Sequence, residues 1–214
     1  FFKRANLVQY NILSRFYGEV NNIYKNQVKK EKKPVRIIIL KARQMGFSTF
    51  TEALIFYDTV THENVTSGIV AHTTDSATNL FKMSKLFYDE LPSEMKPMLK
   101  GSNAKELIFE NPAKRKNEKL SSPGLRSKIK CSTASGNGIG RGDTLTNVHV
   151  SEYAFWEGDK RSTLTGLLQA VPNLPESMVI IESTANGFDD FKAMWDSAVN
   201  KESDFVPLFF PWFE

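Results

Sequence analysis

Residues 35–49, VRIIILKARQMGFST, constrain the fold more than any other stretch of the sequence. Five of the first six residues are apolar and mostly β-branched, which is typical of a strand buried on both faces of a parallel sheet. The run ends at Lys41, and Gly46, Ser48 and Thr49 then precede a helical pattern. This is the order of elements in a phosphate-binding loop: a strand, a loop with a glycine, a hydroxyl pair and a helix. In such a loop the backbone N–H groups hold the anion.

This loop departs from the consensus GxxxxGK[ST] at two positions. Lys41 stands in place of the first glycine and Phe47 in place of the lysine, whereas Gly46 and Ser48 remain in register. Either Lys41 or Arg43 could supply the cation that faces the β- and γ-phosphates. The sequence leaves that choice open.

We expect the hydroxyl of Ser48 to bind Mg²⁺, with Thr49 beside it. The alternative is an ordinary strand–turn–helix junction in which Ser48 is the N-cap. The predicted ATP- and Mg²⁺-binding positions of this loop are Lys41, Arg43, Gln44, Met45, Gly46, Phe47, Ser48 and Thr49.

A second motif is the predicted strand at 146–150, TNVHV, which ends in Ser151 and Glu152. A buried strand with an acidic pair at its end, lying next to the strand of the phosphate loop, holds Mg²⁺ and activates water in P-loop ATPases. Here Ser151 replaces the first acid and would reach Mg²⁺ through a water molecule. Glu152 would contribute to the Mg²⁺ site and would polarise the attacking water as general base.

A third motif follows the predicted strand 177–182, SMVIIE. Ser183, Thr184 and Asn186 come directly after it, before Gly187. Hydroxyl and amide groups at this place suit a γ-phosphate sensor, whose hydrogen bond is lost on hydrolysis. The alternative is a polar loop with a glycine turn.

Two further residues lie outside these motifs. Arg141 belongs to a glycine-dense segment, 135–143, which is either a flexible hairpin tip or a loop that presents the arginine to a phosphate. Gln9 lies in an amphipathic segment, where it is either a surface residue or a reader of the adenine base.

Apolar periodicity predicts alternating strands and helices, and therefore an α/β fold with a mostly parallel central sheet flanked by helices. Expected elements are helices at 6–28, 49–60, 162–171 and 188–199, strands at 66–72 and 205–210, and a short strand pair at 106–110 and 128–132. We divide the chain into a helical segment, 1–33, and a core, 34–214. No window has the roughly 20 apolar residues of a membrane span, and a membrane role is not expected. The net charge of +4 is compatible with nucleic acid.

Taken in order, KARQMGFST, GRGD followed by VHVSEYAFW, and IESTANG resemble the ATPase domain of the large terminase subunit, the motor that packages viral DNA. The resemblance covers the chain from about Gln9 to the last strand. It implies a RecA-like P-loop NTPase of the additional-strand, catalytic-glutamate type. It further implies that ATP hydrolysis drives double-stranded DNA into a procapsid.

The same resemblance implies roles for single residues. Glu152 would be the catalytic base, and residues 183–187 would couple hydrolysis to movement. Arg141 would act as a finger towards the nucleotide of a neighbouring subunit, and Gln9 would contact adenine.

At the level of the whole protein, the implied partners are a portal protein, a small terminase subunit and further copies of this chain in a ring. The implied location is the host cytoplasm and not the mature virion. Family members usually add a C-terminal nuclease domain; the sequence stops before one, so no nuclease activity is expected of this chain.

Two alternatives stay open. The degenerate loop and Ser151 are compatible with a nucleotide- and DNA-binding module that has lost turnover. One core of a helicase-like ATPase is the other, although two-domain helicases need a second core.

Overall fold

The computed structural model describes residues 7–134 and 142–213. The helices are α1 Leu7–Ile23, α2 Phe47–Thr61, α3 Thr74–Glu90, α4 Lys116–Ser121, α5 Lys160–Gln169 and α6 Asp190–Val199, with a π-helical extension of α1 at Tyr24–Glu31 and short 3₁₀ turns at Ser93–Met95 and Tyr153–Phe155. The strands are β1 Val35–Lys41, β2 Thr66–Ala71, β3 Gly101–Ser102, β4 Glu106–Phe109, β5 Ser127–Thr133, β6 Asn147–Ser151, β7 Met178–Ser183 and β8 Val206–Phe210.

The strands of the described residues form one sheet in the order β3-β4-β5-β2-β6-β7-β1-β8. From β5 to β8 every neighbouring pair is parallel, and β4 and β3 add an antiparallel edge. The predicted α/β class with a mostly parallel sheet is therefore confirmed. The predicted strand pair is also confirmed, since β4 lies antiparallel to β5.

The expected position of the acidic strand next to the strand of the phosphate loop is wrong, because β7 lies between β1 and β6. Leu40 of β1 is level with Ser183 of β7, and Ser151 of β6 is level with Glu182. All three strands are almost entirely buried, so the pattern of burial could not rank them in space. Their carboxyl ends still meet at one edge of the sheet, where open α/β sheets bind ligands.

The apolar run of β1 is explained by layers on both faces of the sheet. Ile37 and Ile39 pack in a cluster with residues of α1, α2 and β8. Ile38 points to the other face, into a cluster that includes residues of α5 and α6. Because both faces are buried, an alternating polar pattern would have been destabilising here.

The N-terminal helix α1 packs directly on the core. The ring of Phe16 is fully buried, and its centroid lies 4.9 Å from that of Phe47 and 5.0 Å from that of Phe50. Leu13 lies close to the loop between β1 and α2, since a Cβ placed on Gly46 would be 3.7 Å from Leu13 Cδ2. Helix α1 thus covers one side of the loop.

No helix within the described parts of the chain is both long and apolar enough to cross a membrane.

Candidate functional site

The carboxyl ends of β1, β6 and β7 bring a lysine and two glutamates together. Lys41 Nζ lies 3.1 Å from Glu152 Oε1 and 3.8 Å from Glu182 Oε2. The Lys41 side chain is 7% exposed, so its charge is compensated mainly by these carboxylates. Arg43, the other candidate cation, is exposed on the loop.

The loop between β1 and α2 presents backbone donors at the same edge. Gly46 has a φ of 84°, a left-handed conformation that glycine adopts without steric cost, and it is the N-cap of α2. No side chain caps this end, so the alternative that Ser48 is the N-cap is wrong. The first N–H groups of the helix therefore have no partner within it, and together with the helix dipole they favour an anion.

Two side chains of the loop point into the core instead of into the site. Phe47 is 1% exposed and packs against Phe16 and Phe210, and Met45 belongs to the same cluster. The phenylalanine at the consensus lysine position thus anchors the loop to α1 and β8. Only the backbones of Met45 and Phe47 could contact a phosphate.

Glu182, at the end of β7, is a site residue that the sequence analysis missed. Its Oε1 atom accepts hydrogen bonds from Ser48 Oγ and, at 3.2 Å, from Ser151 Oγ. The side chain is completely buried, and its Oε2 atom has no hydrogen-bond donor among the described residues. A glutamate that ends an otherwise apolar strand was the signal in the sequence, because such strands rarely carry a charge without a partner.

A buried chain of charges continues from Glu182 through β6 to α2. His149 Nε2 lies 3.1 Å from Glu182 Oε1, and His149 Nδ1 lies 2.6 Å from Glu52 Oε1. Burial by itself would lower the pKa of His149, but hydrogen bonds and charges from both glutamates raise it to about 9. The carboxylates that face its two ring nitrogens therefore favour the imidazolium form of His149.

The two glutamates respond differently to this arrangement. Burial would raise the pKa of Glu182, but the hydrogen bond and charge of His149, helped by Lys41 and Ser48, hold it at about 2. Burial raises the pKa of Glu52, against the opposing effect of His149. The pKa of Glu182 is therefore held low, whereas that of Glu52 is raised.

Glu152 is held in an uncommon backbone conformation directly after β6. Its φ of 53° lies in the left-handed region, where non-glycine residues are uncommon. Its Oε1 atom accepts from Lys41, and its Oε2 atom lies 3.5 Å from the backbone N of Thr184. The carboxylate is therefore placed between the end of β1 and the loop that follows β7.

That loop is bonded to the turn that follows β6. The backbone N–H of Ala154 donates to Ser183 Oγ at 3.2 Å, and Asn186 Nδ2 donates to the carbonyl of Ala154 at 3.2 Å. Trp156 Nε1 donates to the carbonyl of Ser151 at 3.1 Å and fixes the end of the strand. Residues after β7 and after β6 are thus positioned together.

Two candidate residues are not settled by the structure. Gln9 lies in α1, but its side chain is outside the described part of the chain. Arg141 also lies outside it, although Asp143 nearby forms ion pairs with Lys128 and Lys130 at 2.8 and 2.7 Å. Both assignments stay predictions, as does the role of Thr49, which is half-buried on α2.

The site fits a Mg²⁺ ion that is held largely by a nucleotide. Among the described residues, no group of three or more histidine, cysteine, aspartate or glutamate side chains is arranged to hold a metal. Mg²⁺ usually keeps several waters and binds one or two protein oxygens together with phosphates. The Ser48 hydroxyl and Glu182 Oε2, which has no hydrogen-bond donor among the described residues, match that requirement.

No protein-family model and no curated protein matches the sequence. Solved structures of similar fold do match. They include the large terminase of bacteriophage HK97, with a TM-score of 0.62 and 18% identity over 82% of this chain and 35% of that chain. The ATPase domain of the Thermus phage P74-26 large terminase has a TM-score of 0.55 and 15% identity over 92% of this chain and 84% of that domain. The large terminase of a further thermophilic bacteriophage, in complex with ATP-γ-S, has a TM-score of 0.57 and 12% identity over 90% of this chain and 44% of that chain.

The sheet order and the glycine-capped loop define a P-loop NTPase fold. More specifically, the fold is that of phage large-terminase ATPase domains. The chain spans 35% of the HK97 terminase and 44% of the terminase solved with ATP-γ-S.

Proposed function

We propose that this chain is the ATP-hydrolysing motor domain of a large terminase, which drives double-stranded DNA into a viral procapsid. The observation that carries the proposal is the contact of Lys41 with Glu152, next to the uncapped N-terminus of α2, in a fold shared with terminase ATPase domains. One terminase of this fold was solved with ATP-γ-S, which supports a nucleotide as the ligand.

In this proposal the loop holds the triphosphate through the N–H groups that begin α2 and through Lys41. Lys41 is preferred over Arg43 because its ammonium group lies among the carboxylates of the site. Ser48 and Glu152 would hold a Mg²⁺ ion, with Ser151 reaching it through a water, and the ion would supply positive charge against the charge that develops on the phosphate oxygens. The hydroxyls of Ser48 and Ser151 both donate to Glu182 Oε1, so these two residues lie close together at the site.

Glu152 is the general base of the proposed reaction. It accepts a proton from a water whose oxygen attacks the γ-phosphorus, while the bond from that phosphorus to ADP breaks. The triphosphate competes with Glu152 for Lys41, and this releases the carboxylate to accept the proton. Binding and activation of the base are therefore linked through one lysine.

The loop 183–187 couples hydrolysis to movement. Because the N–H of Thr184 faces Glu152 and Ser183 is bonded to Ala154, a shift of Glu152 is transmitted to both loops. In the assembled ring, Arg141 would contact the nucleotide of the neighbouring subunit, and Gln9 would contact adenine. We further propose that the ring acts with a portal protein and a small terminase subunit, in the host cytoplasm.

The test compares the wild-type chain with Glu152→Gln in a nucleotide-binding assay and in an ATPase assay over a range of protein concentrations, with and without double-stranded DNA. We expect Glu152→Gln to bind a fluorescent ATP analogue within about threefold of wild type and to lose about 10²- to 10⁴-fold of turnover. Glu157→Gln, at an exposed position five residues further on, is the matched control and should leave both unchanged.

Unchanged turnover in Glu152→Gln would remove the main assignment. Nucleotide binding by the wild type without turnover under every condition would favour the binding module that has lost hydrolysis. Arg141→Ala should lower turnover only at concentrations at which the chain assembles. A strong effect in dilute monomer would contradict its role between subunits.

A further inference from the structure

We propose that Glu182, and not a residue of β6, supplies the carboxylate that positions the metal-binding hydroxyl of Ser48, and that the buried pair His149–Glu52 holds this carboxylate in place. The inference rests on the proposed function, because Ser48 binds a metal only if the loop binds a nucleotide.

The position that normally carries the metal-side acid cannot supply a charge here. In P-loop NTPases the metal is held by the loop serine or threonine and by an aspartate at the end of a neighbouring strand. In this chain that strand end carries Ser151, whose hydroxyl donates to Glu182 Oε1. Ser151 and Glu182 are register partners across β6 and β7, so the carboxylate has moved by one strand.

Glu182 makes the contact expected of the missing acid. The loop residue Ser48 donates its hydroxyl hydrogen to Glu182 Oε1, which leaves the lone pairs of Ser48 Oγ available to a cation. Glu182 Oε2 is buried without a hydrogen-bond donor among the described residues, and Lys41 Nζ lies 3.8 Å from it. A buried carboxylate oxygen without a donor is costly, and a metal ion or a metal-bound water is a partner that would remove this cost.

His149 of β6, which also contacts Glu52 of α2, supports Glu182. All three side chains are completely buried, so water cannot take over their contacts. Nδ1 of His149 contacts the carboxylate of Glu52, and Nε2 of the same ring contacts that of Glu182. The two contacts set the orientation of the ring as well as its charge. In many proteins, residues that contact the metal-binding side chains orient those side chains in this way.

The decisive measurement is the affinity for a fluorescent ADP analogue with Mg²⁺ and with EDTA, together with Mn²⁺ binding to the ADP complex followed by electron paramagnetic resonance. We expect Glu182→Gln to lower the Mn²⁺ affinity about 10- to 100-fold, which is the usual effect of removing a supporting carboxylate. Its affinity for ADP in EDTA should stay within about threefold of wild type. Glu176→Gln, exposed shortly before the opposite end of β7, is the matched control and should change neither value.

A second variant separates the metal role from a purely structural one. Ser151→Asp combined with Glu182→Gln returns the carboxylate to β6 and should recover at least about tenfold of the lost Mn²⁺ affinity. His149→Gln should weaken Mn²⁺ binding when Glu182 is present and have little effect in the combined background. Loss of packing alone would reduce binding in both backgrounds.

The outcomes distinguish this inference from the proposed function. If Mg²⁺ raises the affinity of Glu182→Gln for the ADP analogue as much as it raises that of wild type, the inference is overturned. The proposed nucleotide binding would remain supported by the same result. A wild-type chain that binds no nucleotide, with or without Mg²⁺, would overturn the proposed function itself. If Glu182→Gln does not fold, the combined variant decides, because a folded combined variant without metal-dependent affinity refutes the relocation of the carboxylate.

Discussion

Replacing His149 with alanine should destabilise the protein far more than an ordinary histidine substitution. The imidazolium lies between the carboxylates of Glu52 and Glu182, and none of the three side chains is exposed. Removing one partner of a buried ionic group leaves the others uncompensated and costs about 3–5 kcal/mol. The same two carboxylates raise the pKa of His149 from 6.5 to about 9, which has the sign expected if its charged form stabilises the fold.

The pH dependence identifies the charge as the cause. A histidine whose pKa is raised in the folded state stabilises the protein fully below its unfolded pKa of 6.5, and this stabilisation is lost as the pH rises through 9. The free energy of unfolding of wild type should therefore exceed that of His149→Ala most at about pH 6. The difference should narrow by more than half at about pH 10, where only the cavity contribution remains.

The assay is urea denaturation at several pH values, with His62→Ala as the matched control. His62 is a 61% exposed histidine that also contacts a carboxylate, so its replacement should change the free energy of unfolding by no more than about 0.5 kcal/mol. A loss below about 1 kcal/mol in His149→Ala, or a difference that does not vary between about pH 6 and about pH 10, would refute the charged state assigned to His149.

Two further predictions concern the phosphate loop and its support. Phe16→Ala should cost about 3–5 kcal/mol in urea denaturation and reduce hydrogen-exchange protection in α1, because the ring is fully buried against Phe47; a loss below about 1 kcal/mol would contradict the docking of α1. Gly46→Ala should destabilise the protein by about 1 kcal/mol because of the positive φ at this position, and it should weaken nucleotide binding. The control is Gly18→Ala inside α1, where the Cβ position has open space, and it should stabilise the protein slightly. Equal effects of the two substitutions on the free energy of unfolding would argue against strain at Gly46.

The sequence alone located most of the fold. The apolar run of β1 required a strand buried on both faces, and the alternation of strands and helices then required a mostly parallel sheet. Gly46 and the strand ends at Ser151 and Ser183 also marked the candidate site, because the carboxyl ends of parallel strands share one edge of the sheet. These features are local in the chain, and local sequence patterns encode them.

Spatial order and side-chain direction were decided by the tertiary structure. The burial pattern did not indicate that β7 would lie between β1 and β6, since three buried strands satisfy the same pattern in any order. That insertion carries Glu182 to Ser48 and places His149 between two carboxylates. Glu52, His149 and Glu182 are far apart in the chain, and they interact strongly only because packing brings them together and excludes water. The sequence thus determined which groups reach this edge of the sheet, and the packing of β7 determined which of them contact each other.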